Sequence, residues 1–270
     1  MKKIAFLWWF GKASEIVDNW RDGLRGALEE LEKTCIVDIY LGEIEPPDNY
    51  DAIIFWSDSS CSFFSCLDNF GGKRGICLTT WPHNIENLKK LDVVYCESTP
   101  IYEEVRRHGI HAVMAFGTDT DFFSPDESFI KDIEYFYPGT FSPWKRQSAL
   151  SYLGPRLTCV GTIQPDGQEE YEKCISAGVN VEIGYFPAEK IRDMYRRTRK
   201  IIIPAVHGSE RTVLEAMACN IVPEVTDHTN RAHIYIEEFK NSRYSTPREF
   251  VLQNYSHVLY AKQLWRGLSL

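Results

Sequence analysis

The stretch HGSERTVLEAMACN, at positions 207–220, lies between the apolar runs IIIPAV at 201–206 and IVPEV at 221–225. Apolar residues occupy nearly every side of the helix expected from VLEAMA, which predicts a buried helix between two buried strands. Glu215 stands in the middle of that helix. A buried carboxylate without a partner is costly, so the pattern predicts either a ligand that pairs with Glu215 or an internal partner such as Arg211 or a backbone amide.

The alternation of apolar strand-like runs and amphipathic helix-like stretches extends along the whole chain. Strands that are apolar on both faces, alternating with helices of about 10 to 15 residues, predict parallel sheets covered on both sides. Gly, Pro, Ser and Asp interrupt the pattern at 116–129, which indicates two such sheets. We therefore expect an α/β protein with two facing Rossmann-like domains at 1–125 and 126–245 and a cleft between them. The tail 246–270 opens with the capping box TPRE and is expected to be a helix that packs on the first domain.

Composition limits the classes of protein that this chain can belong to. Of its 270 residues, 44% are hydrophobic and 25% are charged, and no apolar run approaches the length of a transmembrane helix. The eight cysteines show no CxxC and no paired Cys/His spacing, which favours reduced thiols over zinc or disulfides. The net charge of −8 disfavours a broad nucleic-acid surface. A soluble, cytoplasmic protein without a transmembrane segment is expected.

The loops that follow the predicted strands are the expected place for ligands, because doubly wound sheets bind ligands beyond the carboxyl ends of their strands. If the Ser209 side chain caps the helix, the free N–H groups of the first turn would form a site for phosphate. Glu215 lies one turn further, and helical side chains lean toward the amino terminus. Its carboxylate would then reach the same place, where a ribose diol could satisfy it.

Four stretches share the spacing of one enzyme family: GTDTDFFSP (117–125), GTFSPWKRQ (139–147), NVEIGYFPAEKIRDMYRRTRKIIIPAV (180–206) and LEAMACN (214–220). With them the chain resembles, over both halves, the retaining glycosyltransferases of GT-B fold, in the large nucleotide-sugar-dependent group (group 1, family-4-like), in a compact version. The resemblance implies a metal-independent enzyme without a cofactor. Such an enzyme moves a sugar from a nucleotide-diphosphate sugar, its co-substrate, to an acceptor hydroxyl with retention of anomeric configuration.

The resemblance also implies roles for individual residues. Lys145 would hold the diphosphate and Glu215 the ribose hydroxyls, while the backbone amides of Thr212 and Val213 would hold phosphate oxygens. Tyr185 falls where the nucleobase is contacted. The chain departs from the family at two positions. Thr140 stands where the family has a phosphate-binding arginine, so Arg146 or Arg211 would have to replace it, and His207 stands where the family has a glutamate against the donor sugar.

The predicted site therefore has a catalytic and a binding set. The catalytic residues are Lys145 and His207. The donor-binding residues are Gly11, Thr140, Arg146, Tyr185, Gly208, Ser209, Arg211, Thr212, Val213 and Glu215. His83, in TTWPHN, is expected to contact the acceptor or the sugar, or else to be structural. Asp119 and Asp121 imitate a metal-binding DxD motif, but their position in the interdomain segment favours an Asx turn, so no metal is predicted.

Two other functions fit the same pattern. One is a nucleotide-sugar 2-epimerase of the same fold, and the other is a non-catalytic nucleotide-sugar-binding module, which the changes at 140 and 207 favour. The acceptor is open between a glycan, a small molecule and a modified nucleic-acid base.

Overall fold

The computed structural model describes residues 1–8, 21–41, 49–57 and 69–270 of the chain. These residues form two compact units, each with its own sheet. The first unit contains 1–8, 23–41, 49–57, 69–117 and 257–270, and the second contains 21–22 and 118–256. This grouping assigns 118–125 and 246–256 to the second unit, which differs from the boundaries predicted at 125 and 245.

Hydrogen bonds explain why these two segments belong to the second unit. The Arg248 guanidinium donates to the carbonyl oxygens of Thr120, Phe123 and Ala218 at 3.1, 3.0 and 2.8 Å. The Thr118 amide donates to the Tyr255 carbonyl at 2.8 Å. The segment after Gly117 and the segment after Thr246 are therefore joined to each other and to the buried helix of this unit.

Strands and helices alternate in both units. The first unit has β1 (Lys3–Trp8), α1 (Gly23–Glu32), β2 (Ile36–Leu41), β3 (Ala52–Trp56), β4 (Lys73–Leu78), α2 (Ile85–Leu88), β5 (Val93–Cys96), α3 (Thr99–Arg107) and β6 (Ala112–Met114). The second unit has β7 (Ile133–Pro138), a 3-10 stretch (Gln147–Arg156), β8 (Leu157–Gly161), α4 (Gln168–Ser176), β9 (Asn180–Ile183), α5 (Ala188–Arg197), β10 (Thr198–Ile203), α6 (Glu210–Ala218), β11 (Glu224–Val225), α7 (His233–Lys240) and α8 (Pro247–Asn254). The chain then returns to the first unit with α9 (His257–Leu268).

The first unit is built on a six-stranded parallel sheet in the order β2-β1-β3-β4-β5-β6. Its central strands β1, β3, β4 and β5 are buried at successive positions, hence on both faces, as expected for a parallel sheet covered on both sides. α9 packs against α1 and β5, and the buried Tyr95 hydroxyl donates to the Leu264 carbonyl at 2.5 Å. Helix α9 therefore completes the core of the first unit.

The predicted single terminal helix is wrong, since α8 and α9 are separate helices. The predicted start is confirmed: Thr246 caps α8 by accepting from the Glu249 amide at 3.1 Å, and Pro247 occupies the first turn. The break falls at Tyr255 and Ser256, because these residues pair with Thr118 in a short parallel bridge instead of continuing the helix.

The second unit has a five-stranded parallel sheet in the order β11-β10-β7-β8-β9. Its first strand, β7, lies in the middle, and the chain winds outward first through β8 and β9 and then through β10 and β11. The switch point of the winding is between β7 and β10, where sheets of this type bind ligands. The loops that follow these two strands, 139–146 and 204–209, are therefore the place where the site should be sought.

Two further properties concern the described residues only. None of the helices in the described ranges is long and apolar enough to cross a membrane. Six buried cysteines are free thiols, namely Cys35, Cys77, Cys96, Cys159, Cys174 and Cys219. The remaining two, Cys61 and Cys66, lie outside the described residues.

Candidate functional site

The two loops at the switch point of the second unit contact each other directly. β7 and β10 are adjacent and parallel, so their carboxyl ends lie at the same edge of the sheet. The Val206 amide donates to the Trp144 carbonyl at 2.9 Å, and the Trp144 ring stacks on the His207 imidazole with 5.7 Å between centroids and 12° between planes. These contacts place Lys145, next to Trp144, beside the loop that leads into α6.

Helix α6 begins after two residues in the left-handed region, Gly208 at φ +73° and Ser209 at φ +81°. The prediction that the Ser209 side chain caps α6 is wrong, since it makes no capping bond. A capping serine needs an extended backbone, which the left-handed Ser209 does not have. Instead, the Ser209 hydroxyl accepts a hydrogen bond from Lys145 Nζ at 3.0 Å.

The backbone amides of the first turn of α6 are the groups at this helix end that could donate hydrogen bonds to a ligand. The Val213 amide donates to the Ser209 carbonyl at 2.9 Å, so it is already engaged within the helix, which corrects the phosphate-binding role predicted for Val213. The amides of Glu210, Arg211 and Thr212 precede it, and first-turn amides have no intrahelical carbonyl to bind. They form the electropositive end of the α6 dipole.

Lys145 lies in a tight turn that precedes the 3-10 stretch. Its amide donates to the Ser142 carbonyl at 3.0 Å, and the 3-10 stretch starts two residues later. A Cβ atom added to Gly208 would lie 2.7 Å from Lys145 Nζ, so the ammonium group rests against the backbone of Gly208. The ammonium group, the Ser209 hydroxyl and the start of α6 therefore lie together.

The electrostatics of this group favour a neutral imidazole at position 207. Partial burial and the positive charges of Lys145 and Arg231 lower the pKa of His207, while Glu210 opposes the shift. His207 at neutral pH is then both a hydrogen-bond donor and an acceptor, without a charge. Arg231 is itself ion-paired with the buried Glu210 at 3.2 Å.

Glu215 is 4% exposed and is paired inside the second unit. Its Oε2 accepts from the Tyr195 hydroxyl at 3.0 Å, and its Oε1 lies 3.2 Å from Arg211 Nε. Burial raises the pKa of Glu215 to about 7, and Asp22 adds to the shift, although Arg211 and Tyr195 oppose it. Of the two readings of the sequence, internal pairing with Arg211 is the one observed. The burial of Glu215 therefore does not by itself require a ligand.

Three other predicted donor-binding residues lie in loops of the second unit. The Thr140 hydroxyl is hydrogen-bonded to the Thr162 hydroxyl at 3.2 Å. Arg146 donates to Asp227 Oδ2 at 2.9 Å, so this arginine has a carboxylate partner of its own. Tyr185, directly after Gly184, is 77% exposed.

The remaining predicted residues belong elsewhere. His83 is exposed in the first unit, directly before Asn84, which caps α2. Gly11 lies outside the described residues. The Asx turn is confirmed, because Asp119 Oδ1 accepts from the amides of Asp121 and Phe122 at 3.1 and 3.0 Å. In the part of the chain that the structure describes, no group of three or more His, Cys, Asp and Glu is arranged to hold a metal ion.

The sequence did not point to Trp144, Tyr195 or Asp22. Trp144 is adjacent to Lys145, and an aromatic residue beside a predicted phosphate-binding lysine was an available signal. Tyr195 and Asp22 gave no such signal, because their contacts with Glu215 and Arg211 join residues far apart in the chain.

Comparison with known proteins extends the description of the fold. No protein-family model and no curated protein sequence matches this chain. Among solved structures, AviGT4, a glycosyltransferase involved in avilamycin A biosynthesis, has a TM-score of 0.61 and 14% identity, with 100% of this chain and 97% of that chain covered. The α,α-trehalose 6-phosphate synthase of Burkholderia multivorans has a TM-score of 0.68 and 8% identity, with 100% and 98% covered. A putative UDP-N-acetylglucosamine 2-epimerase from Listeria monocytogenes has a TM-score of 0.55 and 11% identity, with 99% and 96% covered.

These similarities define the class of fold. The chain is an α/β protein of GT-B type with one six-stranded and one five-stranded parallel sheet, and the predicted fold class is confirmed in this respect. This fold is shared by a glycosyltransferase, AviGT4, and by the putative UDP-N-acetylglucosamine 2-epimerase. At sequence identities of 14%, 11% and 8%, these similarities show a shared fold and do not show a shared activity.

Proposed function

We propose that the protein is a retaining glycosyltransferase that moves a sugar from a nucleotide-diphosphate sugar to an acceptor hydroxyl. One observation carries the proposal: Lys145 Nζ, the Ser209 hydroxyl and the amino-terminal end of α6 lie together at the switch point of a parallel sheet. Such a combination of an ammonium group and first-turn amides suits a phosphate group. The GT-B fold supports a nucleotide-diphosphate sugar as the ligand that contains this phosphate group.

The chemistry of this proposal is mainly electrostatic. As the bond between the sugar and the diphosphate breaks, negative charge grows on the departing phosphate oxygens. Lys145 and the first-turn amides of α6 are held in place beforehand, so they stabilise that charge without reorganising. His207, as a neutral group, would bind a sugar hydroxyl.

Glu215 remains suited to a ribose diol although it is already paired. An ionised carboxylate offers about four acceptor positions, and Tyr195 and Arg211 contact one oxygen each. Glu215 lies one helical turn beyond Arg211, and because helical side chains lean toward the amino terminus, its carboxylate is directed toward the first turn of α6. No metal ion and no cofactor is required in this arrangement, since Lys145 and the helix terminus supply the positive charge.

The enzyme proposal is tested by incubating the protein with UDP- and GDP-sugars, with and without glycan, small-molecule and modified-base acceptors. We expect transfer with one acceptor class and slow donor hydrolysis without any acceptor. Lys145→Ala should reduce either rate by about 100- to 1000-fold, as removal of one transition-state donor does. The control is Lys173→Ala, because Lys173 is ion-paired with Glu169 on α4 of the same unit and should leave the rate unchanged.

The same incubation separates the alternatives. A 2-epimerase, favoured by the similarity to the putative Listeria epimerase, would convert a nucleotide sugar without an acceptor. A binding module would bind the nucleotide sugar and never consume it. Either outcome would replace the glycosyltransferase proposal, and the second would also remove any catalytic role from Lys145.

A further inference from the structure

Glu215 has two partners that differ in how firmly they are held. Tyr195 is fully buried, and its ring lies edge-on to Phe123 and Phe136 with centroids 5.9 and 5.5 Å away. Its hydroxyl donates to Glu215 Oε2 at 3.0 Å. Because packed aromatic rings in a core have little room to move, Tyr195 is a fixed partner of the carboxylate.

Arg211 is the opposite case. Its side chain is 61% exposed, although Glu215 is buried, and its Nε lies 3.2 Å from Oε1. Its Nη1 is 3.8 Å from Asp22 Oδ2, too long for a direct hydrogen bond. Because the Glu215 carboxylate is buried, losing Arg211 would be costly unless another polar group took its place, so Arg211 can be exchanged only for a ligand that contacts Oε1.

The position of Arg211 indicates which ligand group it could bind instead of Glu215. Arg211 belongs to the first turn of α6, the same turn that, with Lys145, forms the proposed diphosphate site. A guanidinium group binds a phosphate with two parallel hydrogen bonds, which is a stronger contact than the single one it makes with Glu215. Arg146 and Arg231, which also lie near these loops, are already paired with Asp227 and Glu210.

We propose that Arg211 is an exchangeable partner of Glu215. Without a ligand it pairs with the carboxylate, and when a nucleotide diphosphate binds, it moves to the diphosphate while the ribose hydroxyls replace it at Oε1. Tyr195 is a positioning residue that keeps the carboxylate in place through the exchange. The inference rests on the proposed function and adds to it a specificity for the diphosphate over the nucleoside.

An exchange and a fixed pair predict different effects of Arg211 on two ligands. A nucleoside diphosphate displaces Arg211 from Glu215 and offers it phosphate oxygens in return. A nucleoside displaces it and offers no anion. Arg211 should therefore strengthen the binding of the diphosphate and weaken, or leave unchanged, the binding of the nucleoside. A fixed structural partner would affect both ligands by the same factor.

The test is a titration of the full chain with UDP and uridine, and with GDP and guanosine, well above pH 7 so that Glu215 is ionised. In Arg211→Gln we expect the affinity for the diphosphate to fall about tenfold or more, the usual effect of losing a charge-assisted hydrogen bond, and that for the nucleoside not to fall. Arg211→Lys keeps the charge and should recover part of the diphosphate affinity. The matched control is Arg25→Gln, since Arg25 Nε forms the same type of pair with Glu29 on α1 at 3.0 Å and should change neither affinity.

The outcomes that contradict the exchange are distinct. An equal loss for nucleoside and diphosphate in both Arg211 variants, with Arg25→Gln unchanged, would make Arg211 a fixed partner and overturn the exchange alone. A natural chain that binds neither UDP nor GDP would overturn the proposed function and the exchange with it. If Arg211→Gln loses its near-ultraviolet circular dichroism, Arg211→Lys carries the same comparison, with a smaller loss expected for the diphosphate and none for the nucleoside.

Discussion

Glu215 is a carboxyl group that changes its protonation close to neutral pH. Burial raises its pKa from the usual 4.5 to about 7, against the opposing effect of Arg211 and Tyr195. An acid whose pKa is higher in the folded chain favours folding when it is protonated. Its contribution is present below about pH 4.5 and is lost as the pH rises through about 7.

Glu215→Gln should remove this pH dependence, because glutamine keeps acceptor and donor groups but does not ionise. Between pH 4.5 and a pH above 7, the free energy of unfolding of the natural chain should fall by up to about 3 kcal/mol relative to the variant. Urea unfolding at a series of pH values measures the difference. Glu224→Gln, at an exposed position of the same unit, is the control. Parallel curves for the natural chain and Glu215→Gln would contradict the raised pKa.

At the scale of the element, the start of α6 depends on backbone that only glycine adopts freely. Gly208 has φ +73°, and a Cβ atom there would meet Lys145 Nζ at 2.7 Å. Gly178, directly after α4 and Ala177, has φ +75° with no atom within 4 Å of such a Cβ. Both glycines have a left-handed backbone, but a Cβ atom would meet Lys145 only at Gly208.

Comparing Gly208→Ala with Gly178→Ala should therefore separate the cost of the left-handed backbone from the effect of displacing Lys145. Each should lower the free energy of unfolding by about 1 to 2 kcal/mol, the cost of left-handed backbone for an L-residue. Gly208→Ala should in addition displace the Lys145 ammonium group and lower the affinity for a nucleoside diphosphate, measured by calorimetry. Equal diphosphate affinity in the two variants would mean that Lys145 does not depend on its contact with Gly208.

The elements themselves were largely predictable from the sequence, and their ends were not. Apolar runs such as IIIPAV predicted the strands and the buried helix, because burial on both faces leaves a visible pattern. The break between α8 and α9 was missed because it depends on Thr118, far away in the chain. The role of Ser209 was missed because a left-handed backbone at a serine leaves no trace in its residue type.

The sequence predicted which loops meet at the switch point, but not the contacts that their side chains make. The loops after β7 and β10 and the position of Lys145 followed from the alternation of strands and helices and from motif spacing. The partners of Glu215 did not, since an i+4 arginine is visible in the sequence but Tyr195 is joined to Glu215 only by the packing of α5 against the sheet. The sequence alone is therefore compatible with a ligand or an internal partner for Glu215, and the distances show the internal pairs with Tyr195 and Arg211.

At the scale of the whole molecule, the chain leaves the first unit, forms the second and returns through α9. The return is tightly packed: a Cβ atom on Gly267 would lie 2.6 Å from the Tyr95 ring. Gly71, in the same unit, is exposed and has no atom within 4 Å of such a Cβ. The absence of a side chain at Gly267 allows α9 to approach β5.

Gly267→Leu should test whether α9 stabilises the first unit. Leucine favours a helix, so any loss would come from overpacking against Tyr95, for which about 1 to 3 kcal/mol is expected. Amide hydrogen exchange should show the loss in the first unit and not in β7 to β11 of the second. Gly71→Leu should change the stability by less than about 0.5 kcal/mol. Equal destabilisation of the two units would contradict the assignment of α9 to the first unit's core.

The most direct measurement of the central claim is a crystal structure of the full chain with a saturating nucleoside diphosphate. We predict the diphosphate within hydrogen-bond distance of Lys145 Nζ and the first-turn amides of α6, and the ribose hydroxyls on Glu215. A nucleotide bound at another place, or a site at the start of α6 that stays without nucleotide while Lys145 keeps its bond to Ser209, would contradict the claim.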